Sequence, residues 1–314
     1  MKFLHFRSVI FNIRRHKATV IDGKSVANKI LDNLRNEVET FKYHSKRIPH
    51  LKVLLVGDDP ASASYVKNKT IAAKVVGIET ETVKFAPDIP EETLINTIDH
   101  FNRDDNVDAI LLQLPLPAKF NKAICQKISP EKDVDGFTFP NFGKFCLQMD
   151  SFVPCTALAI QYLLHESGID ITGKNAVICG RSKHVGLPIA LILQSDYEPK
   201  IGNGANVTIC HTHTPKEQTV EFCRNADILI SATGVPSLIR GHMIKQGAFV
   251  IDVGISRITD PITSKTKLVG DVNFEEAVQV AGYLTPVPGG VGPLTVAMLM
   301  KNTITAAKRR FAAK

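Results

Sequence analysis

The chain has 314 residues, 44% of them hydrophobic and 22% charged, with no Trp and a net charge of +7, which is chain enough for about two globular domains of ordinary size. Lys2, Arg7, Arg14, Arg15 and Lys17 contribute +5 of that charge with no acid before Asp22, so the rest is nearly neutral and offers no basic face for nucleic acid. No apolar run approaches the roughly 18 residues of a membrane span, and none of the six cysteines makes a CxxC pair or a Cys/His zinc spacing, so no metal site is expected.

Residues 1–17 interleave their charges with Phe3, Leu4, Phe6, Val9, Ile10, Phe11 and Ile13. That is the pattern of an amphipathic mitochondrial transit peptide cleaved before Ala18, with a plain basic tail as the alternative. From residue 24 to 42, Val26, Ile30, Leu34, Val38 and Phe41 recur at helical spacing. Residues 51–57 (LKVLLVG) are of strand length, 61–77 read as helix ending at Gly77, and 79–85 as strand. Residues 91–102 read as helix and 108–114 (DAILLQL) as a buried strand. The alternation predicts a parallel sheet covered by helices. A second series follows: helix 156–168, strand 175–179, the turn GRSKHVG, helix 187–194, and strands 206–210, 227–231 and 248–253. It has the look of a mononucleotide-binding unit. Residues 195–206 are polar and Gly-rich and read as a surface insertion. A last helix, 294–310, follows both units and is expected to pack back on the first. Cys179 and Cys210 lie in apolar strand-like runs, as small buried hydrophobes in a reducing compartment would.

The chemistry-bearing residues fall at the joints of this pattern. Residues 285–298 (TPVPGGVGPLTVAM) combine three prolines and three glycines ahead of an apolar helix. Proline fixes the loop, and glycine lets the backbone approach a flat ligand. Thr295 stands near the helix start, whose free N–H groups can face a polar ligand. Gly180 to Gly186 lacks the strict GxGxxG, yet follows a strand and opens a helix, with Arg181, Ser182 and Lys183 as charge and donors for a diphosphate. No acid ends the next strand, where His211-Thr212-His213-Thr214 follow. An acid there favours NAD by binding the ribose hydroxyls, so its absence leaves room for NADP. Tyr65 and Lys69 share one helix face in SYVKNK, with Lys67 pointing elsewhere. Gln113 is a polar residue inside an apolar strand and needs a partner, for which Lys69 is the candidate. Asp135, in the turn Asp133-Val134-Asp135-Gly136, can accept two donors from a planar heterocycle.

SYVKNK, LLQLPLP, PEKDVDGF, PCT, GRSKHVGLP, IDVG, VGDV and TPVPGGVGPLT occur in the order seen in methylenetetrahydrofolate dehydrogenase/cyclohydrolases, and the chain resembles that family from about residue 21 to about 308. TPKEQ at residues 214–218 and the polar insertion resemble its mitochondrial bifunctional branch. The resemblance implies an α/β fold of two domains: a folate/catalytic domain over 18–155 and a Rossmann-like NAD(P) domain over 156–285. Residues 286–314 then form a folate loop and a C-terminal helix on the first domain. It also implies a homodimer in the mitochondrial matrix that oxidises 5,10-methylenetetrahydrofolate with NAD or NADP and hydrolyses the methenyl product to 10-formyltetrahydrofolate.

By the same resemblance Lys69 is the catalytic lysine, Tyr65 orients the folate, Gln113 tunes Lys69 and Asp135 holds the pterin edge. Val66, Lys67, Asn68, Leu112 and Leu114 flank those positions as substrate-binding residues. So do Pro286, Val287, Pro288, Gly289, Gly290, Val291, Gly292, Pro293 and Leu294. Gly180, Arg181, Ser182, Thr212 and Ile255 fall on cofactor-contacting positions. Three residues depart from the pattern. Ala157 replaces the usual Pro. Thr212 and Gly204 stand where the NAD-using mitochondrial branch carries an arginine and an aspartate that hold phosphate and Mg2+, which argues against that arrangement. NAD and NADP both stay open. Three competing readings are a monofunctional dehydrogenase, another two-domain dehydrogenase of the shikimate type, and a non-catalytic nucleotide-binding protein. Retention of Tyr65, Lys69, Gln113 and Asp135 speaks against the first and last, and the PVPGGVGPLT loop against the second.

Overall fold

The protein, seen in a computed structural model, is described over residues 17–121, 123–195, 204–259 and 266–312. The transit-peptide assignment and most of the polar insertion at 195–206 lie outside the described residues. After β1 (Thr19–Val20) comes α1 (Gly23–Ser45), capped by the Asp22 carboxylate, which accepts from the Ser25 N–H at 3.0 Å. Its buried stripe is Ala27, Ile30, Leu34, Val38 and Phe41, the helical spacing that drives it onto the core. Then β2 (His50–Val56), α2 (Pro60–Val76), β3 (Glu79–Phe85), α3 (Glu91–Arg103) and β4 (Ala109–Leu112) form a three-stranded parallel sheet ordered β3-β2-β4. Two cap signals fix α2. Asp59 accepts from the N–H groups of Ala61 and Ser62 ahead of Pro60, and Gly77 (φ 84°) ends the helix in the left-handed region.

The chain continues through α4 (Phe139–Cys146), α5 (Cys155–Glu166), β5 (Asn175–Cys179), α6 (Gly186–Gln194), β6 (Asn206–Cys210), α7 (Lys216–Asn225), β7 (Ile228–Ser231) and β8 (Phe249–Asp252). A two-stranded antiparallel pair, β9 (Ser256–Thr259) and β10 (Thr266–Val269), is followed by the short α8 (Phe274–Ala277), β11 (Tyr283–Leu284) and α9 (Val291–Ala312). The second sheet is parallel throughout, in the order β1-β11-β8-β7-β5-β6. Its strands β5, β7 and β8 are almost wholly buried, as strands covered on both faces must be.

Two α/β units, as the sequence implies, are thus present. The structure differs from the sequence reading at three places. Residues 18–20 are expected in the first unit, but Thr19–Val20 pair with Tyr283–Leu284 at the edge of the second sheet, so the chain starts there and crosses over in α1. The last helix begins at Val291 rather than 294, which leaves Thr295 inside the helix with its hydroxyl donating to the Val291 carbonyl at 3.2 Å. The N–H groups that the first turn leaves without a partner inside the helix are those of Val291, Gly292 and Leu294, Pro293 having none. Finally α4, α7, β1, β9, β10 and β11 carry no legible pattern: α7 buries a single side chain, Cys223, and the extra strands are two to four residues long.

Helix α9 is the clamp of the molecule. It packs against α1, α2 and α5. Its buried Asn302 amide donates to the carbonyls of Val134 (2.8 Å) and Val153 (3.1 Å), which ties the Asp135 loop to the chain entering α5.

Candidate active site

Lys69 and Tyr65 stand one turn apart on α2, facing the groove between the two sheets, and β4 delivers Gln113 just past its last paired residue. The Lys69 Nζ donates to Gln113 Oε1 at 2.9 Å, and the Gln113 amide nitrogen donates onward to the Leu114 carbonyl at 2.6 Å. Gln113 is 8% exposed, so its amide is satisfied at both ends and its orientation is fixed. In the turn 133–136, ahead of α4, the two aspartates divide the work. Asp133 is consumed by structure: it accepts from the N–H groups of Gly136, Phe137 and Thr138 and from the Asn141 amide. Gly136 (φ 72°) is obligatory there, because a Cβ would stand 2.3 Å from the Phe152 carbonyl oxygen. That leaves Asp135 facing the cleft. Burial pushes its carboxyl up, opposed by the charge of Lys69. Burial likewise raises the Tyr65 phenol.

These four residues line one cavity of ≈ 290 Å³ together with Leu114, Phe137, Cys155, Thr156, His184, Val185, Val253, Ile255, Val291, Gly292, Thr295 and Val296. The far wall comes from the second unit: the His184 ring meets Phe137 edge-on, centroids 4.7 Å apart. Burial, then the charge of Lys183, holds the His184 imidazole below its usual value. Thr295 and Thr156 face each other at 3.5 Å between hydroxyls.

A larger groove of ≈ 640 Å³ shares Tyr65, Ile255, Val291, Gly292 and Val296 with that cavity and runs between α1, α2 and the loop Pro286, Val287, Pro288, Gly289, Gly290, Pro293. Asn68 lines it, and Lys24 and Arg257 supply cations. The loop is anchored from outside: the Lys24 N–H donates to the Gly289 carbonyl (3.1 Å), and a Cβ on Gly23 would sit 2.0 Å from the Gly290 oxygen. Four of the residues expected to bind substrate line neither cavity. Val66, Leu112 and Leu294 are buried in the core, and Lys67 points to solvent two positions from Tyr65 and Lys69. They share motifs with site residues because helix and strand periodicity turns neighbours to opposite faces. Sequence reasoning passed over His184, Phe137, Lys24 and Arg257. Of these His184 lies inside GRSKHVG and Phe137 ends PEKDVDGF; Lys24 and Arg257 carried no signal.

Gly180, Arg181, Ser182 and Thr212 stand apart from both cavities, at the carboxyl ends of β5 and β6. Strand order places β5 between β6 and β7, so the chain leaves β5 in opposite directions and opens a crevice over its end, the usual place for a dinucleotide. Gly180 (φ 123°) would carry a Cβ 2.3 Å from the Ala232 oxygen, and Gly186 one 2.1 Å from the Gly180 oxygen. The α6 N-terminus has no side-chain cap, so the tight turn, the close packing and an uncapped helix end all fit a diphosphate. The Gly180 N–H donates to the Cys210 carbonyl at 2.9 Å, which puts the next residue, Arg181, beside the end of β6; desolvation and the charge of Arg181 depress the His211 imidazole. Gly204 takes φ 59° and would bring a Cβ within 2.8 Å of the Gln194 oxygen. A side chain is strained at that position.

Residues 21–135 match the family model described as tetrahydrofolate dehydrogenase/cyclohydrolase, catalytic domain, and residues 154–311 match its NAD(P)-binding domain. The second match takes in the loop at 286–294 and most of α9. A human protein named bifunctional methylenetetrahydrofolate dehydrogenase/cyclohydrolase 2, mitochondrial, is 50% identical over 94% of this chain and 86% of its own length. A solved 5,10-methylenetetrahydrofolate dehydrogenase from the silkworm, Bombyx mori, superposes with TM-score 0.88 at 47% identity, over 95% of this chain and 100% of that one. A Trypanosoma brucei methylenetetrahydrofolate dehydrogenase-cyclohydrolase, complexed with NADP and inhibitor, superposes with TM-score 0.88 at 41% identity, over 93% and 98%.

Proposed function

This chain belongs to the tetrahydrofolate dehydrogenase/cyclohydrolase family, and from that premise we propose that it oxidises 5,10-methylenetetrahydrofolate with NAD or NADP and hydrolyses the methenyl product to 10-formyltetrahydrofolate. The observation that carries this reading is the Lys69–Gln113 hydrogen bond of 2.9 Å in a cavity shared with Asp135 and Tyr65. It holds a proton-carrying amine beside a carboxylate and an aromatic ring. Folate joins a flat, donor-rich pterin to an aryl amide and a glutamate. The small cavity suits the pterin, with Asp135 accepting from its edge and Tyr65 packing on it. The larger, mainly apolar groove suits the aryl amide, with Lys24 and Arg257 as cations for the carboxylates.

A dinucleotide held at the Gly180 turn and the α6 end supplies the hydride acceptor. For that step the chain's contribution is orientation, because the positive charge left behind spreads over both folate nitrogens and no strong base is required. Hydrolysis is different. Water adds to the methenyl carbon and gives up a proton, and the carbon–nitrogen bond opens with protonation of the departing nitrogen. Lys69 moves that proton, and Gln113 Oε1 fixes where Nζ points.

Arg181 beside the end of β6, with no acid following Cys210, suits the 2′-phosphate of NADP. The Gly180 turn serves either cofactor. The relatives named mitochondrial support a mitochondrial location, and the basic segment 1–17 supports import to the matrix. An unpaired β6 edge on the second sheet supports a homodimer joined through that unit; a monomer mass in solution overturns this. The functional test is turnover of 5,10-methylenetetrahydrofolate by the purified protein with NAD and with NADP, each with and without Mg2+ plus phosphate, and hydrolysis of the methenyl compound alone. Both activities are expected, indifferent to the ions; neither activity sinks the assignment.

A further inference from the structure

The segments IDVG (251–254) and VGDV (269–272) touch the site only through Val253 and Asp252 on the cavity walls, and they hold two buried carboxylates side by side. Asp252 is 3% exposed and Asp271 0%. Asp252 Oδ1 accepts from the N–H groups of Gly254 (3.1 Å) and Asp271 (3.0 Å), and its Oδ2 accepts from that of Val272 (2.8 Å). A Cβ on Gly270 would lie 1.9 Å from Asp252 Oδ2, and one on Gly254 would lie 1.9 Å from Asp271 Oδ1. Each carboxylate occupies the space left by the other segment's glycine.

Asp271 Oδ2 reaches out of this interlock to the end of β7. It accepts from Ser231 Oγ (3.0 Å), the Thr233 N–H (2.6 Å), Thr233 Oγ1 (2.9 Å) and the Gly234 N–H (3.2 Å). All four fall on Oδ2 while the buried Oδ1 accepts none, so the carboxylate's hydrogen bonding is directed wholly at this end of β7. What they accomplish is to gather the turn that follows β7. That turn forms one side of the crevice where strand order reverses: Ala232 lies against Gly180, and the Ala232 N–H donates to the Cys179 carbonyl at 2.8 Å. The Gly234 carbonyl in turn accepts from Ser256 Oγ (3.1 Å), next to Ile255 on the wall of both cavities.

We propose that Asp271 is a positioning residue for the dinucleotide: its carboxylate fixes the Thr233–Gly234 turn against the Gly180 turn, so that the crevice is shaped before the dinucleotide arrives. The inference rests on the dehydrogenase/cyclohydrolase reading. Without the carboxylate four donors lose their acceptor and the turn relaxes, and binding then has to supply the ordering that Asp271 now provides. Hydrolysis needs no dinucleotide, and its Lys69 stands on the other unit, so it is spared.

The test measures both half-reactions on the same full-length preparations of wild type, Asp271→Ala, Asp271→Asn and Thr233→Val. Asp271→Ala is expected to raise the dinucleotide KM by about tenfold or more, the loss of roughly one to two charged hydrogen bonds, with hydrolysis within about twofold of wild type. Asp271→Asn keeps an oxygen acceptor and is expected to restore most of the affinity. Thr233→Val removes one of the four donors and is expected to shift KM the same way by a smaller factor. An unchanged dinucleotide KM in Asp271→Ala, or hydrolysis falling in parallel with it, overturns the proposal. If that variant does not fold, Thr233→Val decides by the same criterion. Wild type lacking both activities overturns the functional reading and this proposal together, whereas active wild type with unchanged variant KM overturns this proposal alone.

Discussion

Around Lys69 the site is made of side chains brought from separate segments: Tyr65 and Lys69 from α2, Gln113 from the end of β4, Asp135 from the loop that Asn302 of α9 pins. Around Gly180 it is made of main chain, with glycines packed so closely that a single methyl group would meet a carbonyl at 2.1–2.3 Å. The first kind of site does chemistry and is vulnerable to loss of a functional group. The second kind holds a ligand by shape and is vulnerable to added bulk. Two half-reactions on one folate are therefore expected to be separable by mutation.

Lys69→Met is expected to have the largest effect. It keeps the length of the side chain and removes the proton carrier, so hydrolysis is expected to fall by about 10²–10⁴-fold, the range for a general acid–base group. Dehydrogenation is expected to fall less, because it asks for orientation. Equal losses in the two assays would mean that Lys69 acts through binding alone.

Gly180→Ala attacks the other region. The new Cβ meets the Ala232 oxygen at 2.3 Å in a backbone of φ 123°, a conformation costing an L-residue about 1–3 kcal/mol before any clash. The dinucleotide KM is expected to rise by about tenfold or more, with methenyl hydrolysis nearly unchanged. Hydrolysis lost in step with oxidation would show that the two regions are one cooperative unit.

The same contrast explains what could be read from sequence. Polar residues in apolar surroundings are conspicuous: Gln113 inside AILLQLPLP demanded a partner, and Lys69, one helical turn from Tyr65, is that partner at 2.9 Å. The main helices, the three strands of the first sheet and β5, β6, β7 and β8 of the second follow from periodicity, usually to within a residue or three. What escaped was whatever depends on distant chain. Thr19–Val20 find their strand partner more than 260 residues away, in Tyr283–Leu284, and two residues hold no pattern. His184 and Phe137 meet across the cleft at 4.7 Å, a contact no local rule encodes. Val66, Lys67, Leu112 and Leu294 share motifs with cleft residues but line neither cavity, because helix and strand turn neighbouring members to other faces.

A smaller effect tests how the crevice tells cofactors apart. Arg181→Ala is expected to weaken NADP by about tenfold, the scale of one charge-assisted contact to phosphate, and to leave NAD within about twofold. Titration of each dinucleotide against the protein checks it. Equal weakening of both would place Arg181 on the shared diphosphate instead.

The smallest effect concerns stability and the interlock that joins the regions. Burial, with the charge of Asp271 adding to it, pushes the Asp252 carboxyl up from 3.8 to about 7, against the pull of its three backbone donors. A raised carboxylate pKa means that between those values the folded protein keeps a proton that the unfolded chain has released. This group's contribution therefore falls as pH rises from about 4 to about 7 and is level above that. Asp252→Asn has no such proton and keeps one oxygen, which can accept from Gly254 and Asp271 while the Val272 N–H loses its acceptor at every pH. The melting temperature of the variant minus that of wild type, measured without ligand, is expected to increase from pH 5 to pH 8. Since Asp252 also lines the larger groove, folate or a dinucleotide that stabilises its charged form is expected to shrink that increase. A difference that stays constant with pH would mean that Asp252 is ionised throughout. The three backbone donors would then outweigh burial, and the interlock would be held by two charges.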